Sequence, residues 1–452
     1  MKTWVTIVLA FALAGSQVLL AEESTNQKAH PIWKCNQLVG DWTGTRPVLS
    51  DRGVEVFGCY TAEVWGNTRG GLKPGADYTG LLHFGAGVDL EKAVGWRGAS
   101  VSTSWLWLSG RDASADLVGN FLTISNIAGL NTLRMFELWF QQNLLDDTIS
   151  LRFGQLSADS EFVISDYSVL FINGTFGWPA AASMNLPNGG PAYPMGTLGA
   201  RIAWNPVDWF TFHSAIFQGD VFAQDINRHG FRWRLDSQTG HTFLNEAQFR
   251  WSARAEESGL PGHFKAGAWF QTGNRADALA DDTASGNSGY YGIVDQMLCR
   301  EPVAPTVSGL TKDGKSVVDA KGTKSFKAPG AIEKSDQGLG WFGRVAVTPA
   351  NRNFINFYFD TGLSYKGLVP GRDDDTIGIG LGYAQLSNGA RNSLKENGAT
   401  PIGAEMVIEF TYQARITPWL VVQPDLQYII NPGGTTDLNN ALVIGGRAAL
   451  TF

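Results

Sequence analysis

Residues 442–452, the last of the chain, alternate strictly in character. Leu442, Ile444, Gly446, Ala448, Leu450 and Phe452 share one face; Val443, Gly445, Arg447, Ala449 and Thr451 share the other. An apolar face backed by a face carrying an arginine is the pattern of a strand with lipid on one side and water on the other. That solvent restricts the fold severely. Backbone N–H and C=O groups find no water inside a bilayer, so strands that cross it have to close into a barrel.

Composition agrees with this reading. Charged residues make up 17 % of the 452 residues, below the roughly 25 % of soluble domains. Mean hydropathy is only -0.09, and no run of about 18 apolar residues follows the N-terminus, which excludes a helical membrane protein. The 54 glycines and the 12 % aromatic content suit a barrel with interfacial aromatic girdles. A net charge of -7 argues against nucleic acid as a partner.

The first residues read as a targeting device. Lys2 precedes the apolar stretch Val5 to Ala14, and small residues follow. Residues 1–21 are therefore expected to be a signal peptide, cleaved after Ala21. Three cysteines remain, Cys35, Cys59 and Cys299. An odd number leaves at least one unpaired within the chain. Cys35 and Cys59 could pair, or all three could be small buried residues. No cysteine or histidine spacing resembles a zinc site, so neither metal nor cofactor is expected.

Residues 51–452 divide into about sixteen alternating segments of roughly 10 residues, from 54–66 to 442–452, as in a barrel with both ends on one side of the membrane. The predicted fold is all-β: a transmembrane antiparallel β-barrel of about sixteen strands with inward-folded extracellular loops. Tight turns such as Asp146-Asp147-Thr148 and Thr417-Pro418-Trp419 alternate with long connections. The tight turns are assigned to the periplasmic side. Residues 300–337 break that rule. Their Lys, Gly, Ser, Ala and Pro content reads as a flexible insertion, with a missed pair of strands as the competing explanation.

Alternation sorts the side chains. In 404–416, Met406, Ile408, Phe410, Tyr412, Ala414 and Ile416 face lipid, and Glu405, Glu409, Thr411, Gln413 and Arg415 face the lumen. In 133–144, Phe136, Leu138, Phe140 and Leu144 point out, while Glu137, Trp139, Gln141 and Asn143 point in. A slip of one residue would put charges into lipid, at about 2–4 kcal/mol for each mid-depth Arg or Lys. The segment 289–299 has an ambiguous phase, and Asp295 is placed inward on the same argument. Segment 376–387 presents Gly378, Gly380 and Gly382 to the lumen. Either something lies against this wall, such as an inward-folded loop, or the wall bends there.

The inward set mixes signs. Arg152, Arg201, Arg250, Lys265, Arg344, Arg415 and Arg447 oppose Glu55, Glu63, Glu137, Glu246, Asp360, Glu409 and Asp425. One dominant sign would select ions. A mixed lining offers donors and acceptors to neutral polyols, whose hydroxyls have to be re-bonded on leaving water. Trp139 and Trp269 could stack on apolar sugar faces. The same charges could instead pair with one another and stiffen the wall. The connection 157–196, with Glu161, Phe171, Asn173, Phe176 and Trp178, is too apolar to stand in water. It is expected to fold inward and narrow the pore, the alternative being packing over the rim or at a subunit interface. Residues 110–132, with Leu117, Leu122 and Ile124, are expected to do the same.

Several motifs carry a resemblance. They include Gly40-Asp41-Trp42-Thr43-Gly44-Thr45-Arg46, Phe171-Ile172-Asn173-Gly174-Thr175-Phe176-Gly177-Trp178-Pro179, Gly189-Gly190-Pro191-Ala192-Tyr193-Pro194, Pro370-Gly371-Arg372-Asp373-Asp374-Asp375 and Gln423-Pro424-Asp425-Leu426-Gln427-Tyr428. In order, and over about residues 38–452, the chain resembles the carbohydrate-selective porins of the OprB type. The resemblance implies a sixteen-stranded outer-membrane barrel that passes glucose and related small sugars by facilitated diffusion. It also implies inward-folded loops and a periplasmic N-terminal segment, here residues 22–50. The insertion 300–337 departs from the family pattern. Small sugars and outer-membrane lipid are the expected partners, with a homotrimer as an assembly open to a chain of this size.

Other classes fit poorly. An enzyme needs a nucleophile beside a base. Of the six histidines, His83, His213 and His263 fall within strand segments, and no Ser-His-acid grouping stands out. A plugged 22-stranded transporter needs a plug domain, and only about 30 residues separate the signal peptide from the barrel. A general or ion-selective porin of the same architecture is the remaining alternative.

Overall fold

The structure is a computed structural model, and it describes residues 37–235, 239–252, 259–276, 283–302 and 336–452. The expected signal peptide 1–21, Cys35 and most of the expected insertion 300–337 lie outside them. Among the described residues there are sixteen strands. They are β1 (Val54–Arg69), β2 (Gly75–Asp89), β3 (Ala99–Gly110), β4 (Thr132–Leu144), β5 (Ile149–Leu156), β6 (Thr197–Val207), β7 (Phe210–Gln218) and β8 (His241–Trp251), then β9 (Gly262–Ala276), β10 (Thr283–Arg300), β11 (Gly338–Val347), β12 (Ile355–Lys366), β13 (Thr376–Leu386), β14 (Ala404–Thr417), β15 (Leu420–Ile430) and β16 (Ala441–Thr451). Each pairs antiparallel with its neighbours in sequence, and β1 pairs with β16 to close the barrel, Glu63 lying opposite Arg447. Closure removes every free edge, which is the condition the bilayer imposes.

The alternation read from the sequence holds along most of the wall. Phe410 and Ile416 of β14 are exposed on the outer face, whereas Glu405, Glu409 and Thr411 are fully buried inside. Two departures have local causes. β10 begins at Thr283 rather than 289, because the β9–β10 ladder runs on through Ser285 and Asn287, with a shift in register between them. These polar residues carry no apolar period to read. In β4 the ladder to β3 slips: Ser104 pairs with Glu137 and Trp105 with Met135, leaving Phe136 as an extra residue. A bulge of this kind re-aims a side chain. Phe136, expected to face lipid, instead packs inside against Leu81, Leu106 and Tyr193.

The hydrophobic core lies inside the barrel. Residues 157–196 fold into the lumen, as do residues 110–132, which make one wide helical turn at Ser114–Val118. Leu117, Leu122, Ile124, Phe171, Ile172 and Phe176 pack on Phe342, Tyr358, Val407, Ile429 and Val443 of the wall. Phe162, Val163 and Leu186 form a second cluster with Phe217, Leu244, Trp269 and Tyr291. The glycine face of β13 receives this material. A Cβ at Gly378 would lie 2.5 Å from Leu170, one at Gly380 2.9 Å from Phe176, and one at Gly382 3.0 Å from Thr175. Only glycine permits that approach, so the inward loop, rather than a bend, accounts for the three glycines.

Cys59 is half-buried and Cys299 exposed, and both are free thiols. The reading of all three cysteines as buried residues fails at Cys299. Ahead of β1, Leu38 N donates to Thr451 O at 2.8 Å. The short helix Thr45–Asp51 brings Arg46 to the carbonyl of Phe452 at 3.1 Å. The first described residues thus cover the end of the last strand.

Candidate pore constriction

Among the described residues, two large cavities border the inserted segment. One of about 620 Å³ opens on the side of the long connections and is lined by Asn126, Asp159, Ser160, Trp178 and Tyr193 among others. The other, of about 600 Å³, opens on the side of the tight turns and is lined by Ser160, Glu161, Arg201, His213, Arg250 and His263 among others. Ser160 lines both. The cavities therefore approach one another at the first turn of segment 157–196, immediately after β5.

Charges are concentrated at that point. Glu161 bridges two arginines of the wall: Arg152 at 2.6 Å, and Arg201, whose Nε and Nη2 donate at 2.5 and 2.8 Å. Arg201 also donates to Ser150 O and Oγ at 3.0 and 2.9 Å. Arg152 donates to Gln141 at 2.9 and 2.7 Å and lies 4.1 Å above the Trp139 ring. Burial alone would raise the Glu161 carboxyl, but Arg201 and Arg152 outweigh it and hold the group below the usual glutamate value. Two residues earlier in the turn, burial pushes Asp159 up against the hydrogen bonds from Ser157 and Tyr193 N. Glu137 accepts from Ser157 N at 3.2 Å and so fixes the start of the turn.

The remaining inward polar groups mostly hold the inserted segments. Glu409 accepts from Ile172 N and Asn173 N at 2.6 and 2.9 Å. Glu405 accepts from Leu122 N at 2.6 Å, and Glu246 from Val163 N at 2.9 Å. Arg344, paired with Asp360, donates to Thr175 O, Phe176 O and Val163 O at 3.0, 2.8 and 3.0 Å. Gln423 and Gln427 donate to Leu170 O and Ile124 O at 2.8 and 2.9 Å. Irregular backbone at membrane depth survives only when its polar groups are satisfied by protein, and these wall residues satisfy it.

The residues expected to line the pore therefore separate. Arg201, Arg250, Glu161 and Trp178 line the cavities, and Arg152, Trp139 and Glu137 adjoin the turn between them. Arg447 is bound to Glu63 and to Asn126, which lines the cavity on the side of the long connections. Glu246, Trp269, Asp360, Glu409 and Asp425 point inward but are buried beneath the inserted segments. They are corrected from pore lining to anchoring and packing positions. Arg415 lies at the tight-turn end of β14, where its backbone, not its side chain, is held by Asp375 and Arg372. Phe171, Asn173 and Phe176 are inside the barrel, yet fully buried rather than at the opening. Alternation could not find Asp159, Ser160, Asp166 or Tyr193, because they lie on no strand.

The profile of the carbohydrate-selective porin, OprB family, matches residues 73–452. The chain belongs to that family. It is an outer-membrane channel protein and not an enzyme. It is 25 % identical to Porin B of Pseudomonas aeruginosa over 444 residues, covering 92 % of this chain and 91 % of that one. It is 22 % identical to the putative porin QuiX of Acinetobacter baylyi, covering 98 % of each. The high-pH structure of Pseudomonas putida OprB has the same fold. Its TM-score is 0.76 at 23 % identity, covering 93 % of this chain and 99 % of that one. In this family member, segment 157–196 brings the two cavities together on the β4–β6 side of the lumen.

Proposed function

We propose that this porin carries small neutral sugars, glucose among them, into the periplasm by facilitated diffusion past Ser160. The residues that meet the sugar are Arg152, Arg201, Glu161 and Trp139. The observation that carries the reading is the Arg152–Glu161–Arg201 cluster beside the Trp139 ring. Its donors and acceptor are held at fixed positions, and a sugar hydroxyl leaving water can exchange into them at little net cost. An aromatic ring offers an apolar face for the C–H side of a pyranose. The exposed outer side chains, such as Trp107, Phe153 and Trp204, form the surface that meets outer-membrane lipid.

The test is liposome swelling with purified protein, comparing glucose, a disaccharide and size-matched neutral amino acids, alongside conductance in salt. Glucose is expected to enter faster than the amino acids, and Trp139→Ala to remove that advantage. Two arginines face one glutamate at the turn, which favours a weakly anion-selective general porin as the second reading. Entry ranked by size alone, with high conductance, would establish that reading instead.

A further inference from the structure

We propose that Asp166, His263 and Asp295 form a binding site for a divalent transition metal of the zinc class at the tight-turn mouth of the pore. The inference does not depend on which solute the channel carries.

The three residues come from separate elements. Asp166 belongs to the inserted segment, His263 to β9 and Asp295 to β10. One donor atom from each lies within 4.8 Å of the other two. All three line the tight-turn cavity, so an ion can reach them from water. His263 Nδ1 stands 3.4 Å from Asp166 Oδ2. Asp295 Oδ1 is used by Ser165 Oγ at 2.5 Å. His263 Nε2 and Asp295 Oδ2 are buried and have no hydrogen-bond partner among the described residues. The His263 side chain is 8 % exposed and Asp295 is 1 % exposed. Two unpartnered buried polar atoms in one cluster are costly unless something binds them.

The ligand set points to the ion. One imidazole nitrogen with two carboxylate oxygens suits zinc and its neighbours, whereas magnesium and calcium take oxygen ligands. Tetrahedral bonds of about 2.0–2.2 Å put ligand atoms roughly 3.4 Å apart. The cluster therefore has to contract by about 1.4 Å at its widest. Asp166, 58 % exposed, can rotate to close it. A fourth position stays open to the cavity. The opposing charges are Arg250, which lines the same cavity, and Lys265, whose Nζ lies 3.6 Å from Asp166 Oδ1 and donates to Ile164 O at 2.5 Å. Its ammonium competes with the metal for the same carboxylate. A bound ion would fasten the inserted segment to β9 and β10 and project into the cavity.

The experiment is calorimetric titration of zinc chloride into chelator-stripped full-length porin, purified without a histidine tag. Wild type is expected to bind one zinc. Asp166→Asn, at an exposed position that leaves the barrel intact, and His263→Gln should each weaken binding by more than the roughly 10- to 100-fold lost with an outer-shell partner. Lys265→Met should tighten it, a change that a purely structural lysine would not produce. Zinc should also slow glucose entry into liposomes in wild type and not in Asp166→Asn. No saturable zinc binding up to millimolar concentration, binding unchanged in both loss variants, or displacement by equimolar magnesium would each overturn the proposal. A wild-type protein that binds zinc but passes no glucose without it would refute the sugar reading and leave the metal site standing.

Discussion

Truncating Phe176 tests whether apolar packing holds the inserted segment in the lumen. The ring is fully buried, with its centroid 4.7 Å from that of Phe171 and 6.1 Å from that of Phe342. The Cζ end of the ring comes against the wall where β13 has Gly380. Phe176→Ala removes this contact and leaves a cavity that the rigid wall cannot collapse to fill, at about 3–5 kcal/mol. The backbone bonds from Arg344 to Thr175 O and Phe176 O survive the change, so the loss falls on packing. It should shift the docked-to-undocked ratio of the segment by roughly 10²- to 10⁴-fold. The assay is single-channel recording in a planar bilayer. Wild type should show one steady low conductance. The variant should show excursions to a larger level, with sugar entry less dependent on solute size. If conductance and noise are unchanged while the thermal midpoint falls, Phe176 stabilises the wall and does not hold the segment, and the reasoning fails.

Three further outcomes follow from the same geometry. Gly380→Val adds atoms where a Cβ alone already comes within 2.9 Å of Phe176 and 3.0 Å of Phe171; it should cost about 1–3 kcal/mol and reproduce the large-conductance excursions. Glu161→Gln leaves Arg152 and Arg201 without their shared carboxylate, so the reversal potential in a salt gradient should move toward anions. The wild-type pore should make that same move only in acid. Glu161 titrates below its ordinary value when folded, so its contribution is complete above that ordinary value and is lost as pH falls through the lower folded one. A shift already present at pH 5–6, or one that persists in Glu161→Gln, would contradict the assignment.

The barrel was legible because lipid enforces a two-residue period. Phe410 outside and Glu409 inside follow from that rule alone. It failed at Phe136, where one extra residue in β4 reverses the phase locally. The candidate site was legible only in part. Alternation says that Glu246, Asp360 and Glu409 point inward, but not what lies over them. That depends on segment 157–196, whose path has no periodic signature. The glycines of β13 were the local signal for that path, since three inward glycines in alternation leave a groove for aromatic side chains. The Asp166–His263–Asp295 cluster has no spacing signal, because its members are far apart in sequence and meet only when the segment crosses the lumen.

The anchors of that segment set an order of assembly. Its central backbone donors, at Ile172 and Asn173, are satisfied by Glu409 some 237 and 236 positions later in the chain. The acceptor at Leu170 meets its donor only at Gln423. Until β14 and β15 are in place, those groups have no partner in the wall, and bringing them together carries the entropy of closing a very long loop. Docking of the segment therefore cannot be complete before β14 and β15 are in place. Two of the last three strands of the chain are thus needed to hold a segment that lies in its first half.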